Sequence, residues 1–197
     1  TNTDVCLDPL DIKFQQKHYL GSSHCAYLSV CGLLHLHDPT SSSMLLDCLS
    51  KSPDQFSGMY FTTCPVGQSR YLVLHNFLQA NTKKYELRKV KKNPSYYEFI
   101  LSLIDEVNND KQYLIMFKEK HVVGIDVGKK LIIDCMEEHY IRLSIEGLRM
   151  CSTDPNMESS SIIYCFKLSK MNSISIKSKK KSIAENNNDM QLKKKKL

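Results

Sequence analysis

Between positions 24 and 36 the chain is apolar on nearly every helical face, with Ala26, Tyr27, Leu28, Val30, Leu33, Leu34 and Leu36 leaving little room for a polar stripe. The run predicts a central, buried helix, opened by the turn-forming Gly21-Ser22-Ser23 and closed before Asp38-Pro39. Ser43 reads as the cap of a second helix carrying Met44, Leu45, Leu46 and Leu49, which stops near Pro53. Tyr71, Leu72, Leu74, Phe77 and Leu78 recur at helical spacing over 67–80 and predict a third. Residues 85–90 alternate as a strand, and Pro94 opens a fourth helix that runs to Val107.

Beyond that helix the period changes. Residues 112–117, 121–127 and 131–134 are short β-rich runs, and the Val127-Gly128-Lys129-Lys130 tetrad between the last two is a hairpin signal. Ile141 and Leu143 lead into a short helix over 144–150, and 161–168 reads as a final strand. Helices first, then an antiparallel sheet, is the α+β class.

Composition alters this picture at one end only. The net charge of +6 is concentrated from Ser169 onward, where nine lysines against Glu185 and Asp189 give +7 and leave the preceding residues at −1. The expected organisation is one folded domain over 1–168 and a lysine-rich, disordered tail over 169–197, which is too poor in large apolar groups to offset chain entropy. Lys179-Lys180-Lys181 and the run from Lys193 to Lys196 offer weak nucleic-acid contact or nuclear import, with a solvated tail as the plainer reading. No apolar run reaches the roughly twenty residues a bilayer span needs, so no membrane role is expected. The first ten residues hold Asp4 and Asp8 and no apolar stretch of a secretory leader, and the chain begins without Met, as a fragment or processed piece would. Eight scattered cysteines without a C-x-x-C pair read as reduced thiols of the cytoplasm or nucleus. Cys31, His35, His37 and Cys48 match no standard zinc spacing and read better as a buried thiol and surface imidazoles, so no metal and no cofactor are expected.

The candidate chemistry begins with Cys25. A thiol at the first turn of a helix and beside an imidazole favours its thiolate, the nucleophilic form. His121 opens a strand directly after a turn, and Asp134 closes the adjoining strand of the same hairpin, where the two can meet. A base oriented by a third polar group is what a thiol nucleophile requires. Singly, each residue has a plainer reading: Cys25 as core, His121 as surface, Asp134 as the start of a turn. It is their order and placement together that point to catalysis. Cys31 lies deeper in the apolar run and reads as core, Cys135 points to the opposite face from Asp134 if the strand continues, and Glu137 and Glu138 read as a solvated turn. No phosphate-binding glycine loop and no G-x-S-x-G elbow occurs.

The segments Ser23-His24-Cys25-Ala26-Tyr27-Leu28, His121-Val122-Val123-Gly124-Ile125-Asp126 and Leu131-Ile132-Ile133-Asp134-Cys135 resemble the papain-like cysteine peptidases in their compact versions. Josephin deubiquitinases and peptidases of bacteriocin-exporter type are the most similar in layout, and related hairpins occur in peptidase-like proteins of mobile elements. The resemblance spans about 15–168. It implies a thiol-dependent hydrolase cleaving a peptide or isopeptide bond, with Cys25 as nucleophile, His121 as base and acid, and Asp134 as orienter. The family's oxyanion-hole Gln stands five or six residues before the nucleophile, where this chain has Tyr19 and Leu20; Gln16, nine residues upstream, takes that role together with the Cys25 amide. The departure admits an inactive interaction module as the alternative, and an acyl transferase with the same triad is a further one. The implied partner is a polypeptide, with ubiquitin-like C-termini and polyprotein junctions both open.

Overall fold

A computed structural model of the chain describes residues 5–19, 24–51, 70–154 and 156–171, with side chains except over 70–73. The expected Gly21-Ser22-Ser23 turn, residues 67–69 and the lysine-rich segment beyond 171 lie outside them. Seven strands, β1 (Cys6–Pro9), β2 (Tyr85–Lys89), β3 (Gln112–Phe117), β4 (Val122–Asp126), β5 (Leu131–Ile133), β6 (His139–Arg142) and β7 (Ile162–Lys170), form one sheet in the order β1-β6-β5-β4-β3-β7-β2. Every pairing is antiparallel. The described helices are α1 (Cys25–His35), α2 (Pro39–Lys51), α3 (Arg70–Thr82), α4 (Tyr96–Ile104) and α5 (Ile145–Cys151). The class is α+β, as the pattern predicts.

The sheet is covered on both faces. All six residues of β3 are buried, which a strand achieves only when neither face meets water. Leu114 and Met116 pack with α1, α2 and α3, whereas Tyr113, Ile115 and Phe117 pack with α4 and α5. The molecule therefore has three layers, with α1 as the inner helix of one outer layer: ten of its eleven residues are buried.

Several boundaries differ from expectation. The fourth helix runs over Tyr96–Ile104 rather than from Pro94 to Val107, because Ser95 takes its cap by accepting the Glu98 N–H at 3.1 Å. Helix α2 starts at Pro39 rather than Ser43, because Asp38 takes the cap: its carboxylate accepts the Ser41 N–H at 3.1 Å and the Ser41 hydroxyl at 2.8 Å. Pro39 then occupies the first helical position, where its missing N–H costs nothing. Strand β7 runs to Lys170, pairing Ser169 with Glu86 and Lys170 with Tyr85, so the sheet includes two residues that composition assigns to the tail. Strand β1 carries no alternation that could reveal it and exists by pairing with β6 at the sheet's edge. Among the described residues, no helix is long and apolar enough to cross a membrane.

Helix α1 is fastened to the sheet along its length. Near its start the Ser29 hydroxyl donates to the carbonyl of Val122, the residue after His121, at 3.3 Å. At its far end His37 Nε2 lies 2.6 Å from Asp126 Oδ2, and Gln112 Nε2 donates both to that oxygen (2.9 Å) and to the Leu33 carbonyl (2.8 Å). His37 is thus a partner of a fully buried carboxylate rather than a plain surface imidazole. Between these ties the backbones approach closely: a Cβ on Gly124 would stand 2.8 Å from Leu33 Cγ, and one on Gly32 would stand 2.9 Å from Ile133 Cγ2.

Candidate active site

Cys25 is the first residue of α1, and His24 stands at the N-cap without a side-chain hydrogen bond to the helix. The first amides of α1 therefore receive no side-chain cap from that position, and their partial positive charge lies beside the thiol. His121 comes directly before β4, in a reverse turn where Lys120 N–H donates to the Phe117 carbonyl and Phe117 N–H to the His121 carbonyl, each at 2.9 Å. Asp134 comes directly after β5. The hairpin sets these two ends side by side, and His121 Nε2 stands 2.8 Å from Asp134 Oδ1.

The imidazole also shares a hydrogen bond with the Cys25 side chain. With Nε2 turned to Asp134, Nδ1 is the nitrogen left for the thiol. Burial alone pushes the imidazole pKa down, but the hydrogen bonds and negative charges of Asp134 and Cys25 outweigh it and lift it from 6.5 to about 10. At neutral pH the ring is cationic and flanked by two groups that stabilise that charge. Asp134 is almost wholly buried and accepts more than the ring: the Met136 N–H donates to the same Oδ1 at 2.9 Å. The Cys151 thiol nearby donates to the Gly147 carbonyl at 3.2 Å, and burial and the Asp134 charge push its pKa up.

Gln16 joins this group from the N-terminal segment. Its backbone N–H donates to the Cys135 carbonyl at 2.7 Å, and its side-chain Oε1 accepts the His24 N–H at 3.2 Å. Two short 3-10 turns, Ile12–Phe14 and Gln16–His18, carry the chain to this point. Phe14 is fully buried against α1, and Gln15 donates its side-chain amide to the Leu10 carbonyl at 2.7 Å. Of the two neighbouring glutamines, Gln15 therefore serves structure and Gln16 faces the cleft.

That cleft, of about 590 Å³, is lined by Gln16, His121, Asp134, Glu119, Met136 and Met150 among others. Glu119 ties its two walls together, accepting from the Ser152 hydroxyl and the Thr153 N–H, each at 2.8 Å. Cys25 is only 2% exposed and is not among the described residues that line the cleft. Another hollow, between 106–111 and 167–170, holds no thiol or imidazole.

All four residues singled out from sequence thus lie in one neighbourhood. The sequence pattern missed Cys135 and Cys151. Strand β5 ends at Ile133, so the alternation that would turn Cys135 away no longer applies, and its buried thiol donates to Gln16 Oε1 at 3.5 Å. Cys31 is core, and burial pushes its thiol far up. Glu137 is not simply a solvated turn residue, since it contributes to the cleft wall. Among the described residues, no group of three His, Cys, Asp or Glu could hold a metal ion. Comparison with known proteins finds no match to a family model, to a curated protein or to a solved structure.

Proposed function

We propose that this chain is a papain-like thiol hydrolase that cleaves a peptide or isopeptide bond through an acyl-thioester on Cys25. The observation that carries the reading is the His121 imidazole held between the Cys25 side chain and the Asp134 carboxylate at the start of a buried helix. In the reaction the thiolate adds to the substrate carbonyl carbon. The oxyanion so formed is met by the Cys25 N–H and Gln16 Nε2. Imidazolium gives its proton to the leaving amine as the C–N bond breaks, leaving the acyl-thioester. Water then adds to the thioester with His121 taking its proton, the acid departs, and the thiolate–imidazolium pair is restored. Asp134 keeps the ring aimed throughout and stabilises its charge. The substrate is a polypeptide, either a ubiquitin-like C-terminus or a polyprotein junction, and we place the activity in the cytoplasm or nucleus. The lysine-rich segment adds weak nucleic-acid contact.

A second reading, an inactive interaction module on the same scaffold, is favoured by the near-complete burial of Cys25. Limited alkylation with iodoacetamide near neutral pH separates the two. The hydrolase reading expects Cys25 to label well ahead of the other seven thiols, and to lose that lead in His121→Ala. Labelling led by exposed Cys6, with Cys25 inert, would decide for the module.

A further inference from the structure

We propose that Cys135 is a positioning residue that sets which end of the Gln16 amide faces the cleft. The inference rests on the hydrolase reading and deepens it by assigning a residue that acts through the oxyanion donor.

An oxyanion donor must present N–H, and a glutamine side chain presents N–H on one side of its amide and a carbonyl oxygen on the other. A reversed amide would direct a lone pair at the developing negative charge and oppose the reaction. Two contacts decide the orientation here. The His24 backbone N–H can only donate, so the amide end that it meets at 3.2 Å must be oxygen. The Cys135 thiol donates to the same oxygen at 3.5 Å. The Cys135 carbonyl also receives the Gln16 backbone N–H at 2.7 Å, so one residue grips Gln16 at both main chain and side chain. With Oε1 held in this way, both Nε2 hydrogens lie on the other side of the amide. Among the described residues no acceptor takes them, and Gln16 lines the cleft.

The thiol suits the task because it stays protonated. Burial, and then the negative charges of Cys25 and Asp134, push its pKa far up, so it remains an S–H donor wherever the enzyme works. A thiolate there would repel Oε1 and release the amide. Cys25 and Cys135 thus carry the same functional group for opposite purposes, one as nucleophile beside an imidazolium and the other as a neutral donor.

Acylation of Cys25 by p-nitrophenyl acetate tests this on the full chain, with iodoacetamide alkylation as the reference. In the ester reaction the thiolate forms a C–S bond, an oxyanion develops on the carbonyl, and p-nitrophenolate leaves with the electrons of the broken C–O bond. Alkylation needs the same thiolate but forms no oxyanion. Cys135→Ala should slow acylation about tenfold while alkylation of Cys25 stays within about twofold, because the His24 amide still takes Oε1 and the loss is partial. Cys135→Ser, which keeps a donor, should recover most of the rate. Gln16→Ala should cost about 10²-fold, and adding Cys135→Ala to it should cost nothing more. If Cys135→Ala does not fold, Cys135→Val fills the space without a donor and carries the comparison. Wild-type acylation rates in the donor-less variant, a loss additive with Gln16→Ala, or a parallel fall in alkylation would each overturn the proposal. A wild type whose Cys25 neither alkylates nor acylates would overturn the hydrolase reading itself, and the inference with it.

Discussion

Asp134 does two jobs with one oxygen. Its Oδ1 accepts from the His121 ring and from the Met136 N–H, so the residue is at once the orienter of the imidazole and the closing bond of its own turn. From sequence these were competing explanations, and geometrically they coexist. Asp134→Ala should therefore slow acylation of Cys25 by p-nitrophenyl acetate by about 10–100-fold and also lower stability by about 1 kcal/mol. Asp134→Asn should be milder on both counts, since an amide oxygen can accept either N–H. Equal rates for Asp134→Ala and wild type would remove Asp134 from the site. His121 makes a separate prediction about pH. Its folded-state pKa is raised from 6.5 to about 10, so the protonated ring stabilises the fold. That contribution is fully present below about pH 6.5 and is lost progressively as pH rises to about 10. Urea unfolding across this window should show wild-type stability falling more steeply than that of His121→Gln; parallel curves would contradict the charged pair.

At the scale of elements, the site depends on how closely α1 sits on β4 and β5. The Ser29 bond to the Val122 carbonyl ties the turn after Cys25 to the strand that His121 opens. Gly124 removes the side chain that would otherwise hold the layers apart at Leu33. Gly124→Ala places a methyl 2.8 Å from Leu33 Cγ, a contact that only a shift of the helix or a rotamer change relieves. The expected cost is about 1–3 kcal/mol, or roughly 2–10 °C in Tm for a domain of this size. A helix moved outward carries Cys25 from His121, so iodoacetamide labelling of Cys25 should slow in the same variant. Unchanged Tm and labelling would show that Leu33 repacks without moving α1. The α2 start makes a smaller prediction: Asp38→Ala removes the cap on Ser41 and should cost about 1 kcal/mol by thermal melting, whereas Ser43→Ala should cost less.

For the molecule as a whole, β7 carries the sheet as far as Lys170. It lies between β3 and β2, and its last residues still pair with β2. The Met171 N–H adds a bond to the Lys84 carbonyl at 2.6 Å. A chain ended after Leu168 should melt about 2–6 °C below one ended after Met171, since it gives up these terminal bonds and leaves the start of β2 unpaired. Equal melting temperatures would show that the end of the strand contributes nothing.

Short-range periodicity encodes one part of this fold. The buried α1, the β3–β4–β5 run with its hairpin turn, and the meeting of His121 with Asp134, thirteen residues apart, all follow from local alternation and a tight turn. The lysine-rich C-terminal composition was equally legible, although the end of β7 was not: Ser169 and Lys170 are unremarkable as side chains and are held by backbone pairing that alternation does not report. The rest was decided in three dimensions. Gln16 and Cys135 meet across 119 residues of chain, and β1 pairs with β6 across a similar span, through bonds that no spacing announces. Cys135 was misplaced because the alternation rule was carried one residue past the point where β5 stops. The physical reason is general to this fold: periodicity tells each side chain which face of its own element it occupies, whereas the choice of partner on another element belongs to packing, which sets how near α1 can come to the sheet and which buried donors then find an acceptor.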